Sequence, residues 1–100
     1  SRQTARTQAV TYAMLAQTNT IASATADTLE AEVVNPTMTP GEVEALTGNT
    51  RARVQDCLTY VRASLPQTRW HDAAEGLRDA AQGIQQLGEA ARNAHSHGTV

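Results

Sequence analysis

Apolar side chains recur at three- and four-residue intervals through most of the chain and do not alternate with polar ones, so the pattern predicts helices and no strands. Residues 4–34 read as one long helix. Val10, Met14, Ile21 and Ala24 form one stripe, and Leu15, Ala22, Leu29 and Val33 lie on a neighbouring face, which implies contacts on more than one side. Seven threonines within residues 4–34 lower the intrinsic helix propensity, so this helix depends on tertiary packing.

Asn35-Pro36 ends that segment, because the residue before proline is driven out of the α region. A linker over 35–39 follows. Thr39-Pro40-Gly41-Glu42 then combines an N-cap threonine, proline at the first helical position and the glutamate of a capping box. The short helix it starts runs through Val43 and Leu46 and closes at Gly48, a natural αL cap. A further helix from Asn49 or Thr50 carries Val54, Cys57, Leu58, Val61 and Leu65 on one face and stops at Pro66, completing a corner over 40–65.

The amphipathic segment 68–94 has the most regular pattern. Trp70, Leu77, Ile84 and Ala91 repeat every seven residues, with Ala73, Ala80, Leu87 and Ala94 at the complementary heptad positions. Gly76, Gly83, Gly88, Ala74 and Ala81 flank this stripe. Each glycine costs a helix about 1 kcal/mol relative to alanine, which predicts a compensating close approach by a partner backbone. Residues 95–100 read as a frayed tail. The expected fold is therefore one all-α domain over 1–100, a helical bundle of three main helices plus one short one that self-associates. Trp70, Leu77, Ala80, Ile84, Leu87 and Ala91 are the expected interface, packed against the 4–34 helix or a second chain.

Composition sharpens this picture. There are 18 alanines, one tryptophan, two tyrosines and no phenylalanine, so a core made by one copy is thin and oligomerisation is favoured. All eight basic residues are arginine, which points to a GC-rich coding sequence of the kind found in actinobacteria and their phages. The net charge of −2 gives no overall footprint for nucleic acid or an anionic membrane. Residues 1–50 hold two arginines against five acids, and residues 51–100 hold six against five. Cys57, the single cysteine, reads as a small buried thiol. With no membrane-length apolar run and no signal-peptide pattern, a cytoplasmic location is expected. The chain opens on Ser1 rather than methionine, which fits an upstream segment having been removed.

One stretch has motif character. From Thr39 to Arg62, a capped short helix, a turn at Gly48 and a second helix opening with Arg51 and Arg53 resemble a bacterial helix-turn-helix DNA-binding unit. Val54, six residues after the glycine, stands where that family locks its second helix onto the first. The resemblance implies that Thr50, Arg51, Arg53 and Gln55 lie near the start of a recognition helix, within reach of base edges and phosphates. The segment departs from the family at Glu44, where a small residue is usual, and at Asn49, where an apolar one is usual.

Acid–base or nucleophilic catalysis needs positioned partners in a cleft. Here the acids are spread along helix surfaces, and no serine or threonine has a glycine elbow or a histidine partner. His71 and Glu75 share a helix face and His95-x-His97 sits on the tail, but neither pair makes a metal site. The chain is thus expected to be a non-enzymatic protein–protein interaction or assembly module with no cofactor, catalytic residue or metal. Its expected partner is another copy or another helical protein. The alternative is a small helix-turn-helix regulator whose long helices form the dimer interface, with DNA as a partner that the net charge does not favour.

Overall fold

The computed structural model describes residues 2–16, 18–34 and 39–96, and these are all-α. The helices are α1 (Arg2–Ala16), α2 (Asn19–Val34), α3 (Pro40–Thr47), α4 (Arg51–Ser64) and α5 (Trp70–Ser96). Short 3₁₀ turns over Gly48–Thr50 and Gln67–Arg69 join the last three. The long helix expected over 4–34 is two helices, which makes four main ones rather than three. Thr18 is non-helical, and its Oγ1 accepts a bond from the Ile21 amide at 3.1 Å, capping the first turn of α2. The apolar spacing runs through this break without interruption, so periodicity alone does not reveal it.

Most of the expected local signals are realised. The capping box of α3 is complete, with Glu42 N donating to Thr39 Oγ1 at 3.2 Å and Thr39 N donating to Glu42 Oε1 at 3.3 Å. Gly48 has φ 53° as a cap glycine should, but its ψ of −135° lies away from αL, in a region that side-chain-bearing residues avoid. Val54, Cys57, Leu58 and Val61 are buried along α4, and Leu65 turns extended before Pro66. Helix α5 starts at Trp70 after its 3₁₀ turn and runs to Ser96, two residues past the expected end. Residues 35–38 of the expected linker and 97–100 of the expected tail lie outside the described residues.

Ion pairs fix the helix directions. Arg2 reaches Asp72, and Arg6 reaches Glu75 and Asp79, so α1 runs parallel to α5. Arg78 meets Asp27, and His71 meets Glu30, so α2 runs antiparallel to it. Helix α4 follows α2, with Arg62 against Glu32 at one end and Thr50 beside Ile21 at the other. Helices α1 and α2 each pack far more extensively against α5 than against each other. The last helix is thus the one on which the first two are built.

The core is thin, as the composition requires. Ala9, Ala13, Ala22, Ala26, Ala73 and Ala74 fill much of it, around Leu29, Leu58, Leu77, Val54 and Val61. Thr25 and Thr28 are fully buried, and their hydroxyls donate to the Ile21 and Ala24 carbonyls at 2.7 and 2.8 Å, so neither leaves an unpaired group. Helix α1 corrects the expected pattern. Its buried face is Ala5, Ala9 and Ala13, whereas Met14, read as part of the core stripe, is 66% exposed. Small residues win this position because α1 lies almost in backbone contact with α5.

The molecule measures 51 × 32 × 19 Å. Its long axis reflects α5, whose 27 residues extend about 40 Å at 1.5 Å each.

Candidate functional site

The candidate site is α5, divided into a half that the chain covers itself and a half that it leaves open. In the covered half, Ala73, Ala74 and Leu77 are completely buried, and Ala80 and Trp70 pack against the same cluster. The Trp70 indole Nε1 donates to the Leu65 carbonyl at 3.2 Å, tying the start of α5 to the end of α4. A Cβ built on Gly76 falls 2.9 Å from both the Cα and the carbonyl oxygen of Arg6. This glycine is what lets the α1 and α5 backbones meet.

Ion pairs line both sides of that contact. Asp72, largely buried, takes Arg2 at 2.9 Å and Arg69 at 3.7 Å. Arg78 donates to Asp27 and Glu30, both at 3.0 Å. Individually such surface pairs contribute little, on the order of 0–1 kcal/mol, but together they specify register. Their signal was present in the sequence as acids and bases three and four residues apart, at Asp27 and Glu30 and at His71, Glu75 and Arg78.

The surroundings of His71 favour its charged form. Its Nδ1 lies 2.8 Å from Glu30 and its Nε2 lies 3.2 Å from Glu75, so both ring nitrogens face carboxylates. A neutral imidazole offers one N–H, so only the doubly protonated ring can donate to both carboxylates at once. The hydrogen bond and charge of Glu30, followed by the charges of Glu75 and Asp72, raise the His71 pKa above its ordinary value of 6.5. Partial burial pushes Glu30 upward, but hydrogen bonds and charges from His71 and Arg78 outweigh it and hold the carboxyl below its ordinary 4.5. Stability from His71 is therefore complete below about pH 6.5 and lost as pH rises through its raised folded value; stability from Glu30 is complete above about pH 4.5 and lost as pH falls through its lowered one. Thermal unfolding scans should show a higher midpoint at pH 6 than at pH 8.5, and His71→Gln should shrink that difference. An unchanged difference in the variant would assign the pH dependence to other groups.

Beyond Ala81 the environment changes. Ile84 and Ala94 are half-buried, Ala91 is exposed and Leu87 is 74% exposed, although all four continue the heptad stripe. Gly83 and Gly88 have nothing within 4 Å of a built Cβ. With Arg6 over Gly76, the parallel α1 ends level with residue 86 and the antiparallel α2 begins at about the same level, so Gly83 is open although it lies within their span, whereas Leu87 and Gly88 lie beyond it. Of the six expected interface residues, the structure buries Leu77, packs Trp70 and Ala80 on its own core, half-buries Ile84, and leaves Leu87 and Ala91 open.

The four residues expected at a DNA surface separate into two groups. Thr50 and Arg53 line an open groove of about 450 Å³ with Thr18, Thr20 and Ile21. Arg51 and Gln55 line another of similar size with Glu32, Pro40, Val43 and Arg62. Arg51 also pairs with Glu44 at 3.7 Å, whereas Arg53 forms no ion pair among the described residues. The Thr50 hydroxyl donates to the Thr47 carbonyl at 2.7 Å.

Cys57 is buried, and burial pushes its thiol up to about 11, with the nearby Thr25 hydroxyl offsetting part of the shift. That makes it a packing residue rather than a nucleophile. No helix among the described residues is long and apolar enough to cross a membrane. No family model, curated protein or solved structure matches this chain.

Proposed function

We propose that this protein is a non-enzymatic helical assembly module that associates with itself through the open half of α5. The observation behind this reading is the heptad stripe itself. The chain buries it as far as Ala81, and it continues in the same register through a half-buried Ile84 to Leu87 and Ala91, which are exposed. Self-association would complete a helical bundle that one copy leaves unfinished, as a thin alanine-rich core favours.

Sedimentation velocity over a rising concentration series tests the reading. The wild-type mass is expected to climb above that of the monomer. Leu87→Glu should hold the chain at monomer mass while leaving its helical content, and its melting temperature at dilution where the wild type is monomeric, nearly unchanged, because Leu87 is 74% exposed and contributes little to the intrachain core. A wild-type chain that stays monomeric at every concentration sinks the proposal.

The DNA-reading alternative has less behind it. Arg51 and Arg53 sit two residues apart on α4, about 200° around the helix, and so project to different sides. Of the two, Arg51 pairs with Glu44 and Arg53 forms no ion pair among the described residues.

A further inference from the structure

His71 sits where two helices act in opposite ways on one proton. Helix α2 presents an acid to the ring directly, with the Glu30 oxygens 2.8 and 3.0 Å from Nδ1. The arginines of α1 go instead to two acids of α5: Arg6 meets Glu75 at 3.4 Å, and Arg2 meets Asp72 at 2.9 Å. Those same two acids bear on His71. Glu75 lies 3.2 Å from Nε2, and Asp72 is the next residue along the helix. Glu30 is the largest cause of the raised His71 pKa, and the charges of Glu75 and Asp72 add to it.

The other charges are one step removed from the ring. Arg78 is 3.0 Å from Glu30 and also holds Asp27. Asp79 shares Arg6 with Glu75, and Arg69 lies 3.7 Å from Asp72.

We propose that His71 is a proton-linked balance between the two helices packed on α5: proton uptake favours the docking of α2 and disfavours that of α1, and proton release does the reverse. Charge sets the direction in each case. Docking α2 brings a carboxylate to the ring, so the docked form binds the proton more tightly than a form with α2 lifted away. Docking α1 brings guanidinium groups to Glu75 and Asp72 and offsets the negative charge that favours the imidazolium, so its docked form binds the proton less tightly. Linkage is reciprocal, and a helix whose docking strengthens proton binding is itself held more firmly once the proton is on.

Histidine suits this role because its ordinary value of 6.5 puts the charge change close to neutral pH. The His71 side chain is 55% exposed, which keeps each effect small. The proton thus biases local openings of α1 and α2 against each other, beyond the single-signed change in overall stability described above.

Two measurements on the full chain test the balance. In NMR titrations, with the ring signals of His71 identified by their loss in His71→Gln, Arg6→Gln is expected to raise the proton affinity of His71 about twofold at low salt, the effect of removing one positive charge roughly 10 Å away in water. Glu30→Gln should lower that affinity, and by a larger factor. Amide exchange at dilution, corrected for its intrinsic pH dependence, reads the docking itself. From pH 5.5 to pH 8 the ratio of α1 protection to α2 protection is expected to rise at least about threefold in the wild type and to stay flat in His71→Gln. A proton affinity that falls or does not move in Arg6→Gln overturns the proposal. So does a flat wild-type ratio, or one that rises equally in His71→Gln.

Discussion

Truncating Leu77 to alanine is expected to destabilise the chain by about 2–5 kcal/mol. Leu87→Ala, ten residues along the same helix and on the same heptad stripe, is expected to change stability by less than about 0.5 kcal/mol. Leu77 is fully buried in a cluster where alanines predominate, and few of its neighbours have the volume to collapse into the space it would leave. Domains of this size have total stabilities of roughly 5–15 kcal/mol, so the first substitution removes a large share. Leu87 is 74% exposed and gives up almost no packing when shortened. Urea unfolding at dilution, where self-association is absent, compares the two. Similar losses from both would mean that the distal half of α5 folds back onto the chain.

The second large effect is a change of sign between two glycines. Alanine at either position gains about 1 kcal/mol of helix propensity. At Gly83 that gain meets open space, and the variant should be more stable than wild type by up to that amount. At Gly76 the added methyl lies 2.9 Å from the Arg6 backbone, which has no side-chain freedom with which to yield. Helix α1 must move away from α5, and overpacking of this kind costs about 1–3 kcal/mol, enough to reverse the propensity gain. Gly76→Ala should therefore melt below wild type and Gly83→Ala above it. Two shifts of the same sign would disprove the close contact between the helices.

These glycines also show how far the sequence could be read. Gly76, Gly83 and Gly88 stand beside one stripe and differ in whether the α1 backbone comes close to them. That depends on how two helices distant in sequence cross, which the apolar spacing does not mark. Signals contained within a few residues were legible: the Thr39 capping box, the stop at Pro66 and the buried face of α4. What depended on a distant helix was not. Met14 is larger and more apolar than Ala9 or Ala13, yet the close approach of α5 selects the alanines. The candidate site was legible as a pattern over Trp70–Ala94, and its division at Ala81 was not. At the helix-turn-helix-like corner, both helices formed where the local signals placed them. Opposed projection of Arg51 and Arg53 follows from a spacing of two on a helix, and their separate grooves follow from what α2 and α3 place beside them.

Because α1 and α2 lean on α5 rather than on each other, the order in which the chain emerges during synthesis bears on when it can fold. Helices α1 and α2 are made before α5 and must wait, with their alanine faces wet, until Leu77 and Ala81 appear about sixty residues after α2 begins. Helix α5, made after them, supplies the surface on which both earlier helices settle. A nascent chain stopped before Ala81 would hold helices without an interior.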